Sequence, residues 1–372
     1  MRNRIYADNA ATACLCRKAY EDMLPYLEKE YGNASQPYTF SRTSKRAIMR
    51  SREIIAECIN AIPEEIYFTS CGTESDNWVI YGAIKKRLPI ITSLIEHKAI
   101  IRPCEYALTQ GHSVKYIGVN NQGEININDF EKAISEHNVC LASVMFANNE
   151  IGTIEPIKEL SYIAHSHNAL FHTDAVQALG HIPINVRQLG IDMLSASAHK
   201  FNGPKGIGFL YIKKGTDWPP LLYGGAQEYG MRAGTENTAS IVGMASALKY
   251  NIDSITENGK HILNIEETFI NCLDEYGIKY HRNGKVKHIP GNISLSFEGY
   301  NGEALLHRLD LMGISVSTGS ACDSKETRIS HVLKAINIDE KLAKGTIRIS
   351  FGINNNIEDA YEIAQALNKI LV

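Results

Sequence analysis

The sequence predicts an α/β fold, with a large domain built on a mainly parallel sheet and a smaller α+β domain. Short apolar strands alternate with amphipathic helices from about residue 17 to about residue 250, and continuous apolar strands are typical of a parallel sheet covered on both faces. A chain of 372 residues is long enough for two domains. We predict a large domain over residues 15–250 and a small domain formed by residues 1–14 and 251–372.

The elements follow one another in a regular order. Each predicted strand of the large domain is followed by polar residues and then by a helix. In chain order the predicted elements are a strand over 65–69 and a helix from Glu74, a strand over 89–93 and a helix from about Lys98, a strand over 139–146 and a helix from about Pro156, a helical stretch over 236–275, and strands near 293–297 and 346–350.

The composition is that of an ordinary globular protein. Hydrophobic residues make up 44% of the chain, charged residues 21%, and the net charge is −3. Such a charge balance lacks the basic surface that nucleic acid or an anionic membrane requires. No apolar stretch approaches the ~20 residues of a membrane span, and the N-terminus lacks the apolar core of a signal peptide. We therefore expect a cytoplasmic protein that binds neither nucleic acid nor membrane.

Lys200 is the first candidate catalytic residue. It lies in the segment Ser195–Gly206, a small, polar turn bounded by glycines that follows an apolar run. A lysine that forms a Schiff base must be held still and partly desolvated so that its neutral amine reacts. Ser197 and His199, just upstream, supply hydrogen bonds of the kind that a cofactor phosphate needs. The alternative is an ordinary surface turn with a solvated lysine.

Polar residues also follow the other predicted strands. Ligands bind beyond the carboxyl ends of the strands in open parallel sheets, so these residues are expected to meet. Gly72 and Thr73 open a helix whose backbone amides suit a phosphate, although Thr73 also fits a helix cap. His97 suits stacking or proton transfer, although a lone histidine is more often structural.

Asp174 ends another predicted strand, with Gln177 one helical turn later. A buried carboxylate is costly unless it meets a cation, and a pyridinium nitrogen is such a cation. The alternative for Asp174 is a helix N-cap. Asn149 lies in a turn with a second amide after the strand that ends near Phe146. These independent signals point to one pyridoxal-type cofactor.

The eight cysteines are scattered through the chain without C-x-x-C pairs. Neither a disulfide framework nor a zinc site is expected, and we predict no metal site. Cys14 and Cys16 form a C-x-C pair, which leaves open a soft-metal or redox role. Cys322 differs because it follows Gly319-Ser320-Ala321, residues that suit a mobile loop.

Together these residues resemble the cysteine desulfurases of the NifS/IscS type, in the class V aminotransferase superfamily. The likeness runs from about residue 8 to residue 352. The blocks that carry it are TES at 73–75, EHKA at 96–99, NNEIGT at 148–153, AHKFNGPKG at 198–206, GMRAGTEN at 230–237 and STGSAC at 317–322. The last block resembles the active-site loop of the long-loop desulfurases. The resemblance implies the fold type I architecture of pyridoxal phosphate enzymes.

The resemblance also implies a role for each candidate residue. Lys200 would form the Schiff base with pyridoxal 5'-phosphate, His97 would stack on the ring, Asp174 would pair with the pyridine nitrogen and Gln177 would meet the phenolic oxygen. The residues that would hold the phosphate are Gly72, Thr73, Ser197 and His199. Thr235 would reach the phosphate from the neighbouring subunit, which implies a homodimer.

The substrate residues follow from the same resemblance. Asn149, which also borders the cofactor, and Arg348 would hold the carboxylate of L-cysteine, a group that the planar arginine fork suits. The Cys322 thiolate would attack the substrate sulfur and leave alanine and a persulfide, because only a thiolate is nucleophilic enough. The sulfur would pass to an acceptor protein, such as an iron–sulfur scaffold. An incidental exposed thiol is the alternative for Cys322.

Departures from the family pattern affect the surroundings of the site. Tyr38 stands where the usual N-terminal block has histidine, and the phosphate turn reads Ser70-Cys71-Gly72-Thr73. Three other functions remain open: a selenocysteine lyase or other class V enzyme, a non-catalytic partner protein that kept the fold, and a metal–thiolate protein using Cys14, Cys16 and Cys322.

Overall fold

The computed structural model describes residues 4–137, 139–284, 287–318 and 329–371. The strands in chain order are β1 Ile5–Tyr6, β2 Ile66–Thr69, β3 Ile90–Ser93, β4 Val114–Ile117, β5 Leu141–Ser143, β6 Leu170–Asp174, β7 Met193–Ser197, β8 Gly208–Ile212, β9 His281–Asn283, β10 Asn292–Ser296, β11 Ile314–Ser315 and β12 Thr346–Ser350. The helices are α1 Arg17–Glu28, α2 Arg42–Ile59, α3 Gly72–Lys86, α4 Lys98–Thr109, α5 Ile127–Ser135, α6 Ile157–Ser166, α7 Thr238–Asp253, α8 Ile255–Glu275, α9 Gly302–Leu311, α10 His331–Ala335, α11 Glu340–Ala343 and α12 Ile357–Leu371.

A seven-stranded sheet forms the centre of the larger part of the molecule. Its strand order is β2-β8-β7-β6-β5-β3-β4. The neighbours β7, β6, β5, β3 and β4 pair in parallel, whereas β8 runs antiparallel to β2 and to β7. Strands β3, β5, β7 and β8 are buried along their whole length, because helices cover both faces of a parallel sheet. The predicted mainly parallel α/β fold is confirmed.

Of the four hydrophobic cores among the described residues, the two largest are formed mainly by residues before and after residue 254, respectively. The first joins the central sheet to α2 and α7 through side chains such as Ile55, Phe171 and Leu248. The second contains Phe269 of α8 and Leu367 of α12, and it also takes in β1. The sheet β12-β10-β9 belongs to this second core. The domain limits at 14/15 and 250/251 stay a prediction.

Several elements differ from the sequence-based expectation. The predicted helical stretch over 236–275 is two helices, because Ser254 has non-helical dihedral angles between α7 and α8. The chain passes from the first core to the second at this residue, so the helix axis has to change. The strand expected over 139–146 is the three-residue β5, and β4 and α5 were not predicted. Strand β4 is only partly buried, so its sequence shows no continuous run of apolar residues of the kind that predicts a buried strand.

The pairing register between β6 and β7 determines where the candidate site lies. Asp174 at the end of β6 pairs with Ser195 on β7, and Ser197 ends β7 two residues later. Asp174 and the turn after Ser197 are therefore neighbours at the carboxyl edge of the sheet, where ligands bind in such folds. Among the residues that the structure describes, no helix is both long and apolar enough to cross a membrane.

Candidate active site

A cavity of about 300 Å³ opens at the carboxyl edge of the central sheet. It combines residues from strand ends, helix starts, the N-terminal segment and β12. The lining residues are Ala10, Ala11, Cys71, Gly72, Thr73, Asp76, His97, Met145, Ala147, Asn149, Asp174, Val176, Gln177, Ser197, His199, Lys200 and Arg348. All the predicted site residues except Thr235 and Cys322 are in this set.

Lys200 follows β7 in a single turn of 3-10 helix over Ala198–Lys200. Its amine is half-buried and donates hydrogen bonds to the carbonyl oxygens of Ala10, at 2.6 Å, and Ala11, at 2.9 Å. The turn is tight, because a Cβ at Gly203 would stand 2.9 Å from the carbonyl oxygen of Ala198. The N-terminal segment therefore holds the amine at the cavity wall.

Asp174 is 5% exposed, and its Oδ1 accepts the backbone N–H of Val176 at 2.9 Å. Burial raises the pKa of this carboxyl, while the hydrogen bond from the N–H of Val176 and the charge of Lys200 oppose the rise. A buried carboxylate is stabilised only by hydrogen bonds and by positive charge. The cavity is therefore suited to a ligand that brings a cation to Asp174.

The start of α3 forms an anion-binding corner. Helix α3 is 15 residues long and begins at Gly72, so its first N–H groups have no partner within the helix. A Cβ at Gly72 would lie 2.6 Å from Cγ2 of Val176, which makes glycine necessary. Within the described part of the chain, the buried Oγ of Ser197 has no hydrogen-bond partner. An anion here would receive both the helix N–H groups and this hydroxyl.

The two histidines of the cavity are neutral at pH 7. Burial and, to a lesser degree, the charges of Lys200 and Lys205 lower the pKa of His199 to about 4. Nδ1 of His199 lies 3.1 Å from Oγ1 of Thr12. Burial also lowers the pKa of His97, whose Nδ1 accepts the backbone N–H of Ala99 at 3.2 Å. The neutral ring of His97 therefore carries its proton on Nε2.

Arg348 brings β12, of the three-stranded sheet, to the cavity. It is 4% exposed, and its guanidinium donates to Oδ1 of Asp8 at 2.6 Å and to the carbonyl oxygen of Asn149 at 2.9 Å. Its buried Nε has no hydrogen-bond partner in the described residues. Gln177 donates from Nε2 to the carbonyl oxygen of Ala10 at 2.9 Å. Arg348 thus keeps a donor for a further anionic ligand.

One predicted site residue lies elsewhere and another is not described. Thr235 is exposed and does not line the cavity; its loop is held by Arg232, which pairs with Glu74 near the start of α3 at 2.9 Å. Cys322 lies outside the described residues. Among the residues that are described, no group of three or more His, Cys, Asp or Glu side chains is arranged to hold a metal ion.

Asp76 is the functional candidate that sequence reasoning missed. It lies in the first turns of α3, is 1% exposed and lines the cavity. The signal was its spacing, because Asp76 shares the inward face of α3 with Val79, Ile80 and Ala83. A carboxyl group at a core position of a helix requires a special partner.

A family model, related sequences and related solved structures agree on the group of proteins that this chain resembles. The aminotransferase class-V family model matches residues 5–363. The chain is 44% identical to the cysteine desulfurase IscS of Dictyoglomus turgidum, over all of this chain and 95% of that protein. A solved NifS-like protein superimposes with a TM-score of 0.93 at 35% identity, covering 99% of both chains. A structure described as SspA in complex with cysteine superimposes with a TM-score of 0.84 at 32% identity, covering 94% of this chain and 99% of that one.

Proposed function

The chain belongs to the class-V aminotransferase family and, within it, to the cysteine desulfurases, and from that premise we propose how its cavity acts on L-cysteine. Pyridoxal 5'-phosphate is the cofactor, L-alanine is the carbon product, and the sulfur is held on Cys322 as a persulfide. The observation that carries the proposal is the meeting of an amine, a buried carboxylate and an anion-binding helix start in one cavity of about 300 Å³.

The residues of the cavity fit this cofactor. The start of α3 and the unpartnered Oγ of Ser197 suit a phosphate, and the buried Asp174 suits a pyridinium nitrogen. We assign the remaining contacts to residues that line the same cavity: Gly72, Thr73, His97, Asn149, Gln177 and His199. Bound there through Lys200, pyridoxal phosphate supplies an electron sink for the substrate carbons.

Arg348 and Asn149 are assigned to the substrate. The Nε–H of Arg348 is buried and unpartnered in the described residues, and a guanidinium binds a carboxylate strongly. Asp8 already pairs with Nη2 of the same side chain, so the arginine is held in place before substrate arrives. The relative crystallised with cysteine supports an amino acid of this size as the ligand.

The sulfur transfer balances without an added oxidant. The Cys322 thiolate attacks the substrate sulfur, the S–S bond forms, and the C–S bond breaks with its electron pair left on carbon. That carbon takes up a proton and leaves as the methyl group of alanine, so cysteine plus thiol becomes alanine plus persulfide. We assign the proton transfers to the amine of Lys200 and to the imidazole of His97, which both line the cavity.

The assembly is proposed to be a homodimer in the cytoplasm. Thr235 lies exposed on a loop and outside its own cavity, which agrees with a contact to the phosphate of a second subunit. An acceptor protein, such as an iron–sulfur scaffold, then takes the persulfide sulfur. The seven described cysteines are all free, which suits persulfide chemistry in a reducing compartment.

The test is a spectrum of the purified protein with pyridoxal phosphate, before and after L-cysteine is added. We expect a visible absorption band that changes with cysteine, together with equal amounts of alanine and, under a thiol reductant, sulfide. A keto acid in place of alanine identifies an aminotransferase, and preference for selenocysteine identifies a lyase. A protein that stays colourless overturns the proposal.

A further inference from the structure

Two carboxyl groups lie side by side at the wall of the cavity. Asp76 on α3 is 1% exposed, Asp174 on β6 is 5% exposed, and both line the cavity. The charge of Asp174 and a hydrogen bond between the two carboxyl groups raise the pKa of Asp76, and the same bond lowers the pKa of Asp174. An ionised carboxylate only accepts hydrogen bonds, so a bond between two carboxyl groups requires that one of them keeps its proton. Two buried carboxylates in contact cannot both ionise at low cost.

The surroundings favour the anion on Asp174. Its Oδ1 accepts the N–H of Val176 at 2.9 Å, and this bond and the positive charge of Lys200 both favour its ionised form. The opposing influence is burial, which raises the pKa of the Asp174 carboxyl. An arriving pyridinium cation adds to the stabilisation of this anion.

The surroundings of Asp76 favour the neutral acid. Its Oδ1 has no hydrogen-bond partner among the described residues, and Nε2 of His172 lies 3.8 Å away. Burial raises the pKa of Asp76, the negative charges of Asp174 and Glu96 raise it further, and only a hydrogen bond with Ser195 opposes them. The described residues of α3, β6 and β7 bring no positive charge to Asp76 that would favour its ionised form.

The side chain of His172 meets Asp76 from strand β6. It is fully buried, and its two ring nitrogens lie 2.8 Å from Oγ of Ser143 and 3.0 Å from Oγ of Ser195. Burial lowers the pKa of His172 to about 3. The ring is therefore neutral at pH 7, and it offers Asp76 no positive charge.

We propose that Asp76 is a positioning residue: a buried neutral carboxylic acid that donates its hydrogen bond to the Asp174 carboxylate and so holds that carboxylate toward the cofactor. The donated bond fixes the orientation of Asp174 and stabilises its ionised form before the cofactor binds. The part of this inference that concerns the cofactor rests on the proposed function, whereas the protonation of Asp76 does not.

The first experiment reads the protonation state directly. Infrared difference spectra at pH 7 compare the unmodified protein with the Asp76→Asn variant, both free of pyridoxal phosphate and loaded with it. We expect the variant to lose one carbonyl stretch of a protonated carboxyl, which shifts in D₂O. The Glu96→Gln variant identifies any band that belongs to Glu96. If Asp76→Asn removes no protonated-carboxyl band, Asp76 is ionised and the inference is overturned.

The second experiment separates donation from packing. An asparagine N–H replaces the donor with little change of shape, whereas Asp76→Leu removes it. We expect the dissociation constant of pyridoxal phosphate to rise by about 10-fold or more in Asp76→Leu and by less than about 3-fold in Asp76→Asn. The absorption spectrum of the bound cofactor should change in the same order. Equal loss in both folded variants overturns the positioning role.

The outcomes also distinguish the two proposals. A protein that shows the Asp76 band and binds no pyridoxal phosphate contradicts the proposed function and supports the neutral Asp76. A coloured, cysteine-responsive protein without that band supports the proposed function and overturns the inference. If Asp76→Leu does not fold, the infrared spectrum and the cofactor affinity of Asp76→Asn still decide, because a 10-fold loss in that variant contradicts donation.

Discussion

Single side chains acquire their chemistry here from burial and from their immediate partners. The amine of Lys200 is held by two backbone carbonyls, and burial raises the pKa of Asp174. Neither property belongs to a free lysine or aspartate. The same burial keeps His172 and His199 neutral, so the site holds few positive charges before a ligand enters.

Cys322 is predicted to be the sulfur nucleophile. None of the residues that we assign to the cofactor is changed in Cys322→Ala, so this variant should bind pyridoxal phosphate normally. Loss of a catalytic nucleophile should lower sulfide release by more than about 10³-fold. The measurement is sulfide and alanine production under a thiol reductant. The control is Cys14→Ala at an exposed cysteine, which should keep full turnover; full turnover in Cys322→Ala would refute the assignment.

Glu96 is predicted to make stability depend on pH. Burial raises the pKa of this glutamate from 4.5 to about 8, although Ser93 Oγ and the N–H of Met145 donate to its Oε1. The native state therefore holds a proton that the unfolded chain loses near pH 4.5, and the stability falls as pH rises from there to about 8. The loss amounts to at most about 5 kcal/mol.

Glu96→Gln removes this titration. We expect the variant to gain stability relative to the unmodified protein as pH rises from about 5 to about 8. Urea unfolding of the loaded protein at several pH values measures the difference. The control is Glu105→Gln on the exposed face of α4, which should show a constant difference. A constant difference for Glu96→Gln would show that Glu96 ionises normally.

At the scale of elements, the loop after residue 223 is anchored to α3 through Arg232 and to α2 through Glu228. Glu228 and Tyr229 both have positive φ angles, of 48° and 58°, and such a backbone costs about 1–3 kcal/mol for each non-glycine residue. The buried guanidinium of Arg52 offsets this cost by bonding both carboxylate oxygens of Glu228, at 2.8 and 2.7 Å. The loop that carries Thr235 is thus held in one conformation.

The start of α3 is predicted to depend on Gly72. An alanine there would place Cβ 2.6 Å from Cγ2 of Val176, so the helix start or the turn after β6 must move. Overpacking of this kind costs about 1–3 kcal/mol, and we expect about 10-fold to 100-fold weaker binding of pyridoxal phosphate. Absorbance titration of the cofactor-free protein measures it.

Gly118 provides the matched control for that substitution. A Cβ at Gly118 meets no atom within 4 Å, so Gly118→Ala should leave cofactor affinity unchanged. If Gly72→Ala binds the cofactor as tightly as Gly118→Ala, the helix start does not hold the phosphate.

At the scale of the whole molecule, the N-terminal segment links the two cores at the site. Ala7 accepts a backbone hydrogen bond from Ser350 on β12 at 2.8 Å, and Ala13 donates one to His199 at 2.9 Å. Between them, Ala10 accepts from Lys200 at 2.6 Å. One short segment therefore contacts β12, the turn of Lys200 and the cavity wall together.

Mixed dimers test whether Thr235 acts across subunits. Thr235→Glu should place a negative charge against the phosphate of the partner's cavity, and Lys200→Ala removes the amine from its own cavity. Each homodimer should be inactive. Half of a randomly mixed population is heterodimers with one intact site of two, so about one quarter of full activity should return.

The controls for mixing are direct. Unmodified subunits mixed with Lys200→Ala subunits should retain the activity expected from their own number. No recovery between Thr235→Glu and Lys200→Ala, although both fold and dimerise, would place Thr235 in its own subunit's site or in none.

The sequence by itself determined the alternation of strand and helix and the position of each polar strand end. Parallel strands bring their carboxyl ends to one edge of the sheet. The sequence alone therefore assigns five polar strand-end residues to a single site: Gly72, His97, Asn149, Asp174 and Lys200. These are local signals, because apolar periodicity and turn residues are visible in a short window.

The tertiary structure alone decided which groups touch. The contacts of Lys200 with Ala10 and of Arg348 with Asp8 join residues 190 and 340 positions apart, and no periodicity encodes such pairs. The carboxyl pair of Asp76 and Asp174 also depends on how α3 lies against β6. Burial and neighbouring charge set the protonation of these groups, and both are properties of the packed molecule rather than of the chain.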